Sequence, residues 1–137
     1  MGYTHYWRQR RDITATEWDD VRAAFNAMLA QNARILADVE DTDNAIAFNG
    51  TGEDSHETFV LNRALATARA EWNTPDAEPL CFQFCKTAHK PYDLIVTALL
   101  LVTTEIAPGW ADVSSDGDMQ GKDWQPARDF LRALKSK

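Results

Sequence analysis

The chain predicts an α+β fold: a single domain over residues 1–137 in which a mainly antiparallel sheet of five to six strands carries about three helices on one face. Three observations predict it. A capping box opens a helical hydrophobic stripe near the start. Short β-type runs separated by Asp, Asn and Gly fill the middle, and an apolar helix and an amphipathic helix close the chain. Its length of 137 residues suits one core. The 45% apolar and 26% charged composition is that of a globular protein, which excludes wholesale disorder.

Residues 2–7 alternate aromatic and β-branched types and predict a first strand. Thr14 and Glu17 form the capping box, and Trp18, Val21, Phe25, Met28 and Leu29 follow at helical spacing, giving a helix over 15–31. Residues 35–39, 45–48 and 58–61 form three short runs broken by turn residues and predict an antiparallel meander. Arg63 to Trp72 is alanine-rich and ambiguous, a short helical turn ended by Asn73-Thr74-Pro75-Asp76. In Cys81–Cys85, Phe82 and Phe84 share one face and the two cysteines the other. A helix over 91–106 starts with Pro91 in its first turn and is apolar nearly all round, as expected of a central buried helix. Residues 110–114 predict a further strand and Ser115-Asp116-Gly117-Asp118 a turn. A last helix from about Asp123 presents Trp124, Ala127, Phe130, Leu131 and Leu134 as a stripe.

Charge and cysteine usage bound the function classes. A net charge of −7 supplies no overall positive field, so a direct nucleic-acid or acidic-membrane partner is not expected. No secretory signal precedes Gly2-Tyr3-Thr4, and the apolar run 94–102 is too short to span a membrane. On a strand, Cys81 and Cys85 lie about 13 Å apart at roughly 3.3 Å per residue, beyond the roughly 7 Å limit for a disulfide. They are expected as free thiols of a cytoplasmic protein.

Four polar segments are candidates for chemistry. Lys86, Thr87, His89 and Lys90 form a basic turn just before a helix, where unpaired N–H groups and the helix dipole favour an anion. Pro91 removes one donor from that site. Cys85 beside Lys86 is a candidate nucleophile, with His5, His56 and His89 as bases; its alternative is inert packing. The loop from Asn49 to Glu57 is either a long hairpin connection or a site loop in which Glu57 or Asp54 orients ligand hydroxyls or acts as a base. Asp112 to Asp118 lacks the spacing of an EF-hand. No cofactor is expected; a Mg²⁺ held by Glu57, Asp116 and Asp118 is the alternative. Residues 38–57 carry seven acidic groups and no Lys or Arg, either a solvated face or a patch for a basic protein partner; set against the basic Arg8-Gln9-Arg10-Arg11, this division favours self-association into a homo-oligomer or a mixed-charge partner.

Taken together, Met1–Tyr6, Phe48-Asn49-Gly50, His56–Phe59, Phe84–Ala88, Lys90–Asp93 and Ser114–Gly117 resemble motifs of a family of small uncharacterised proteins encoded by bacteriophages and prophages. The resemblance covers nearly the whole chain, and Cys-Lys-Thr-Ala is its most specific part. Position 89 departs from it, with His where the family carries Arg, which makes that cation pH-sensitive. The resemblance implies an accessory protein acting in the cytoplasm of a bacterial host against host machinery, antiviral defence included.

The leading expectation is a binding protein for a small phosphorylated, nucleotide-like ligand. Lys86 and Lys90 would neutralise the anion, Thr87 would donate a hydrogen bond, Tyr92 would stack on or bond a base, and His5, Asn49, Glu57 and Asp116 would complete the face. One alternative is a protein–protein inhibitor whose acidic 38–57 face imitates nucleic acid. The other is a nucleotide or phosphoester hydrolase using Glu57 and Asp116 with a metal, or Cys85 as nucleophile. The leading expectation requires the polar loops to meet in space.

Overall fold

The structure is a computed structural model and describes residues 3–135. Gly2 and Met1, which belong to the predicted first strand and the opening motif, lie outside the described residues. Among the described residues the chain forms six strands and four α-helices: β1 (Thr4–Gln9), α1 (Ala15–Asn32), β2 (Ala37–Asp41), β3 (Ala45–Asn49), β4 (Phe59–Asn62), α2 (Leu65–Glu71), β5 (Cys81–Lys86), α3 (Asp93–Ile106), β6 (Ala111–Ser115) and α4 (Gln125–Lys135). The α+β class holds, but the strands divide into two three-stranded antiparallel sheets, β5–β1–β6 and β2–β3–β4, rather than one.

One continuous hydrophobic cluster takes side chains from both sheets and from α1, α3 and α4, so the two sheets share a core. Helix α3 packs between α1 and α4 and is buried at Ile95, Val96, Thr97, Ala98, Leu99 and Leu100 in succession, as its unbroken apolar run requires. The sheets are tied at two places. At one, the buried Gln9 amide donates to the carbonyls of Asn62 and Arg63 (3.2 and 3.3 Å) and accepts from Gln83 Nε2 (2.9 Å). At the other, Glu57 N–H donates to Lys86 O (3.3 Å), linking the approach to β4 with the end of β5.

Helix α1 begins where its sequence says. Thr14 Oγ1 accepts from Glu17 N–H (3.2 Å), and Glu17 Oε1 accepts from Thr14 N–H (2.9 Å). Arg11 adds a bidentate pair to Glu17 at 2.8 and 3.1 Å. That guanidinium, with the Thr14 N–H, pulls the Glu17 carboxyl from its ordinary 4.5 down to about 2. A carboxylate so depressed contributes stability that is complete above pH 4.5 and is lost as pH falls through about 2. Glu17→Gln is therefore expected to flatten the stability profile between those values, read by urea midpoints at successive pH. An unchanged acid slope would show that the pair contributes nothing.

Candidate functional site

His5 lies on the inward face of β1, opposite Cys85 of β5 and Ser115 of β6, and is fully buried. Its Nε2 is 2.6 Å from Asp93 Oδ1 in the first turn of α3, and its Nδ1 is 2.8 Å from Ser115 Oγ. Ser115 Oγ already accepts the Gly117 N–H (2.9 Å) and the Trp124 indole N–H (3.3 Å). Its own proton therefore goes to Nδ1, which leaves the ring proton on Nε2 to donate to Asp93. Thr87, also fully buried, donates its hydroxyl to the same Asp93 oxygen. The composition is that of a Ser-His-Asp triad. Both Ser115 lone pairs are occupied, however, so the oxygen has none left with which to attack. This is a polar strut joining β1, β6 and α3.

Tyr3 extends the cluster. It stacks on His89 (centroids 3.6 Å apart) and meets His5 edge-on (4.8 Å). Gly117 passes so close that a Cβ there would stand 2.3 Å from Tyr3 Oη, which explains a glycine in this turn.

A second set joins the 50–58 loop to the 86–92 segment. Asn49 Oδ1 accepts the N–H groups of Gly50 and His56 (2.7 and 2.9 Å), while Nδ2 donates to His56 O and Thr58 Oγ1. Glu57 Oε1 accepts Lys86 N–H (3.0 Å), and Lys90 Nζ donates to Glu53 O (3.2 Å). Tyr92 is buried, with its hydroxyl directed at the carbonyls of Glu57 and Lys86 (2.5 and 3.3 Å). Its ring has no exposed face on which a base can stack, so the role expected for Tyr92 is corrected: it is a core strut under the loop.

The basic turn also differs from expectation. The N–H groups of Asp93, Leu94 and Ile95 donate to the carbonyls of Lys90, Pro91 and Tyr92, and those of Thr87 and Ala88 to Tyr3 O. Ala88 and His89 take left-handed φ values of 52° and 59° to close this turn. The unpaired donors on which an anion site at this helix start depends are thus used internally. Lys86 and His89 stay exposed and Lys90 half-buried.

Cys85 is buried, and that burial, reinforced by Glu57, pushes its thiol up to about 12. Native protein at pH 8 is expected to react at Cys85 with iodoacetamide only as fast as it unfolds, whereas urea-unfolded chain reacts as an ordinary thiol. Rapid native labelling at Cys85 would restore it as a nucleophile. Cys81 is likewise free and buried. Among the described residues no three His, Cys, Asp or Glu side chains come together as a metal site. Glu57 is held by Lys86 N–H, Asp116 by the Thr4 N–H (3.1 Å) and Tyr6 hydroxyl (2.9 Å), and Asp118 by its own turn.

The outward face of the β5–β1–β6 sheet is what the sequence left unassigned. Cross-strand register sets Lys86 opposite Thr4, Phe84 opposite Tyr6 and Phe82 opposite Arg8, with Ser114 and Asp112 completing the rows on β6. Tyr6 stacks on Phe82, Phe82 meets Phe84, and Trp72 lies edge-on to Phe84. The Arg8 guanidinium stands 5.1 Å from the Phe82 centroid and the Lys86 ammonium 5.8 Å from that of Phe84. Phe82 is 40% exposed, and among the described residues only Val39 is a comparably exposed large hydrophobic side chain. The signal for this face was present in the Phe82/Phe84 alternation, which separates the faces without saying which one meets solvent.

The sequence motifs therefore do converge. Two contact networks lie side by side at one end of the β5–β1–β6 sheet: Tyr3, His5, Thr87, Asp93 and Ser115 in one, Glu57, Lys86 and Tyr92 in the other, with Asp116 bonded to the adjacent Thr4 and Tyr6. No protein-family profile, curated protein or solved structure matches the chain. Among the described residues no helix is long and apolar enough to cross a membrane.

Proposed function

We propose that this is a phage-type accessory protein that binds a phosphorylated, nucleotide-like ligand in the cytoplasm of a bacterial host, and that it interferes with a host system by binding rather than by turnover. The observation that carries the reading is Lys86, an exposed cation poised over Phe84 beside Tyr6 at the end where the motifs meet. Among the described residues Lys86 has no carboxylate partner. Lys86 would neutralise the phosphate, Phe84 and Tyr6 would take the base in place of Tyr92, and Asp116, which also touches Thr4, would accept a sugar hydroxyl. The protonated thiol of Cys85 and the saturated Ser115 support binding over hydrolysis. The phage and host setting is supported by the motif resemblance.

Thermal shift against nucleoside mono-, di- and cyclic phosphates tests it. A ligand at 100 times its Kd adds about 2.7 kcal/mol of stability, and that gain is expected to vanish in Lys86→Ala and Phe84→Ala. A flat panel, or a gain that both variants keep, would overturn the reading.

A second reading rests on the acidic surface. Arg22 draws Asp41 and Asp43 together at 2.7 and 2.8 Å, beside the exposed edge strand that carries Asp38 and Glu40. A protein inhibitor acting there would lose its partner on Glu40→Lys/Asp43→Lys and keep it on Lys86→Ala; the reverse pattern would exclude it.

A further inference from the structure

We infer that the ligand of the outward β5–β1–β6 face is a single-stranded oligonucleotide rather than a lone nucleotide; this rests on the nucleotide-binding reading above and specifies its ligand. The argument is repetition. Lys86 over Phe84 is one ring-plus-cation unit, and Arg8 over Phe82 is a second, one row further along the same face. Neither Arg8 nor Lys86 has a salt-bridge partner among the described residues. The two carboxylates that flank the face are engaged, Asp112 by Arg10 at 2.7 Å and Asp116 by the Tyr6 hydroxyl.

Rows on one face of a strand recur about every 7 Å. That is roughly twice the ~3.4 Å rise per nucleotide of a stacked strand, so the rows suit bases splayed from an unstacked one. Aromatic rings paired with cations along one face, here Phe82 at 40% exposure and the half-buried Phe84, are the elements with which proteins hold single strands without reading sequence: each base has a π face and each linkage a charge. A duplex hides its base faces, and a peptide supplies no anion at each step. The net charge of −7 does not oppose this locally. The run of seven acidic residues at 38–57 belongs largely to the other sheet and its loop, while this face carries Arg8, Arg10 and Lys86.

The test is fluorescence anisotropy with labelled single-stranded oligonucleotides of two, four and eight residues, as RNA and as DNA, beside the thermal response to the mononucleotides. Oligonucleotides are expected to bind at least tenfold more tightly than mononucleotides. Phe82→Ala and Arg8→Ala should each remove about tenfold of that gain while leaving mononucleotide binding and the melting temperature unchanged. Removing Arg8 and Lys86 together should make the salt slope shallower by about 1.4, from about 0.7 per phosphate contact. RNA and DNA arms that differ would show whether the 2′-hydroxyl is read. Mononucleotides that bind through Lys86 with no gain from length would overturn this inference and leave the broader reading standing; binding of neither would remove both. Equal affinity for duplex would reduce the face to diffuse charge, and a dimer in sedimentation that Phe82→Ala dissolves would assign it to a second copy of the chain. Either result overturns the inference.

Discussion

Replacing His5 with alanine is expected to destabilise the fold by about 3 kcal/mol, the size of loss found when a buried side chain is truncated and its hydrogen-bond partners are left unpaired. His5 is fully buried and bonds Asp93 on one side and Ser115 on the other. Its loss strands the Asp93 carboxylate, whose side chain is only 18% exposed, with Thr87 as sole side-chain partner. It also leaves a cavity between Tyr3 and Trp124, both of which meet the imidazole edge-on. Ser115→Ala is expected to cost about 1–3 kcal/mol, because Nδ1, the Gly117 N–H and the Trp124 indole N–H all lose a partner. Urea unfolding measures both: the midpoint should fall with the slope unchanged. Losses well under about 1 kcal/mol in both variants would mean that the cluster is not a strut, and a catalytic role would return.

The second large effect is Phe48→Ala, expected to cost about 3–5 kcal/mol as a buried aromatic truncation. Phe48 on β3 is fully buried, stacks on Phe25 of α1 (5.6 Å), packs on Phe59 of β4 (5.2 Å) and meets Tyr92 edge-on (6.4 Å). The cavity would undercut Tyr92, whose hydroxyl holds the Glu57 and Lys86 carbonyls in place. Hydrogen exchange at the Glu57 and Lys86 amides should therefore accelerate more than exchange in α4. Phe48→Leu, which refills most of the space, is expected to recover most of the stability. If Leu costs as much as Ala, ring stacking rather than volume governs the site.

The parts legible in the sequence are those set by neighbours along the chain. Thr14 and Glu17 start α1 where expected, and the unbroken apolar run of α3 buries almost every side. Boundaries moved where a local turn intervened. A 3₁₀ turn at Ala33–Ile35 delays β2 to Ala37, and the left-handed pair Ala88 and His89 pushes the start of α3 to Asp93, leaving Pro91 in the preceding turn. Division into two sheets was not legible, since it depends on pairings between distant strands.

The site shows the same limit. His5 is 88 residues from Asp93 and 110 from Ser115, and no local pattern joins them. Hydrophobicity alone would turn Phe82 and Phe84 inward; instead the core takes Cys81, Gln83 and Cys85. Gln83 is held inside by its Nε2, which donates to Oε1 of Gln9, its diagonal neighbour on β1. Trp7 and Phe59 already fill the space beneath β1, so the phenylalanines of β5 are left outside with Tyr6 and Arg8.

Amide chemical-shift mapping during titration with a nucleoside monophosphate tests the central claim most directly. The account predicts shifts concentrated at Tyr6, Phe84, Lys86 and Asp116, fading toward Phe82 and Arg8 and absent from the acidic strand at 37–41. Shifts confined to the α3 start at 93–95 or to the acidic strand, or none at millimolar ligand, would contradict it.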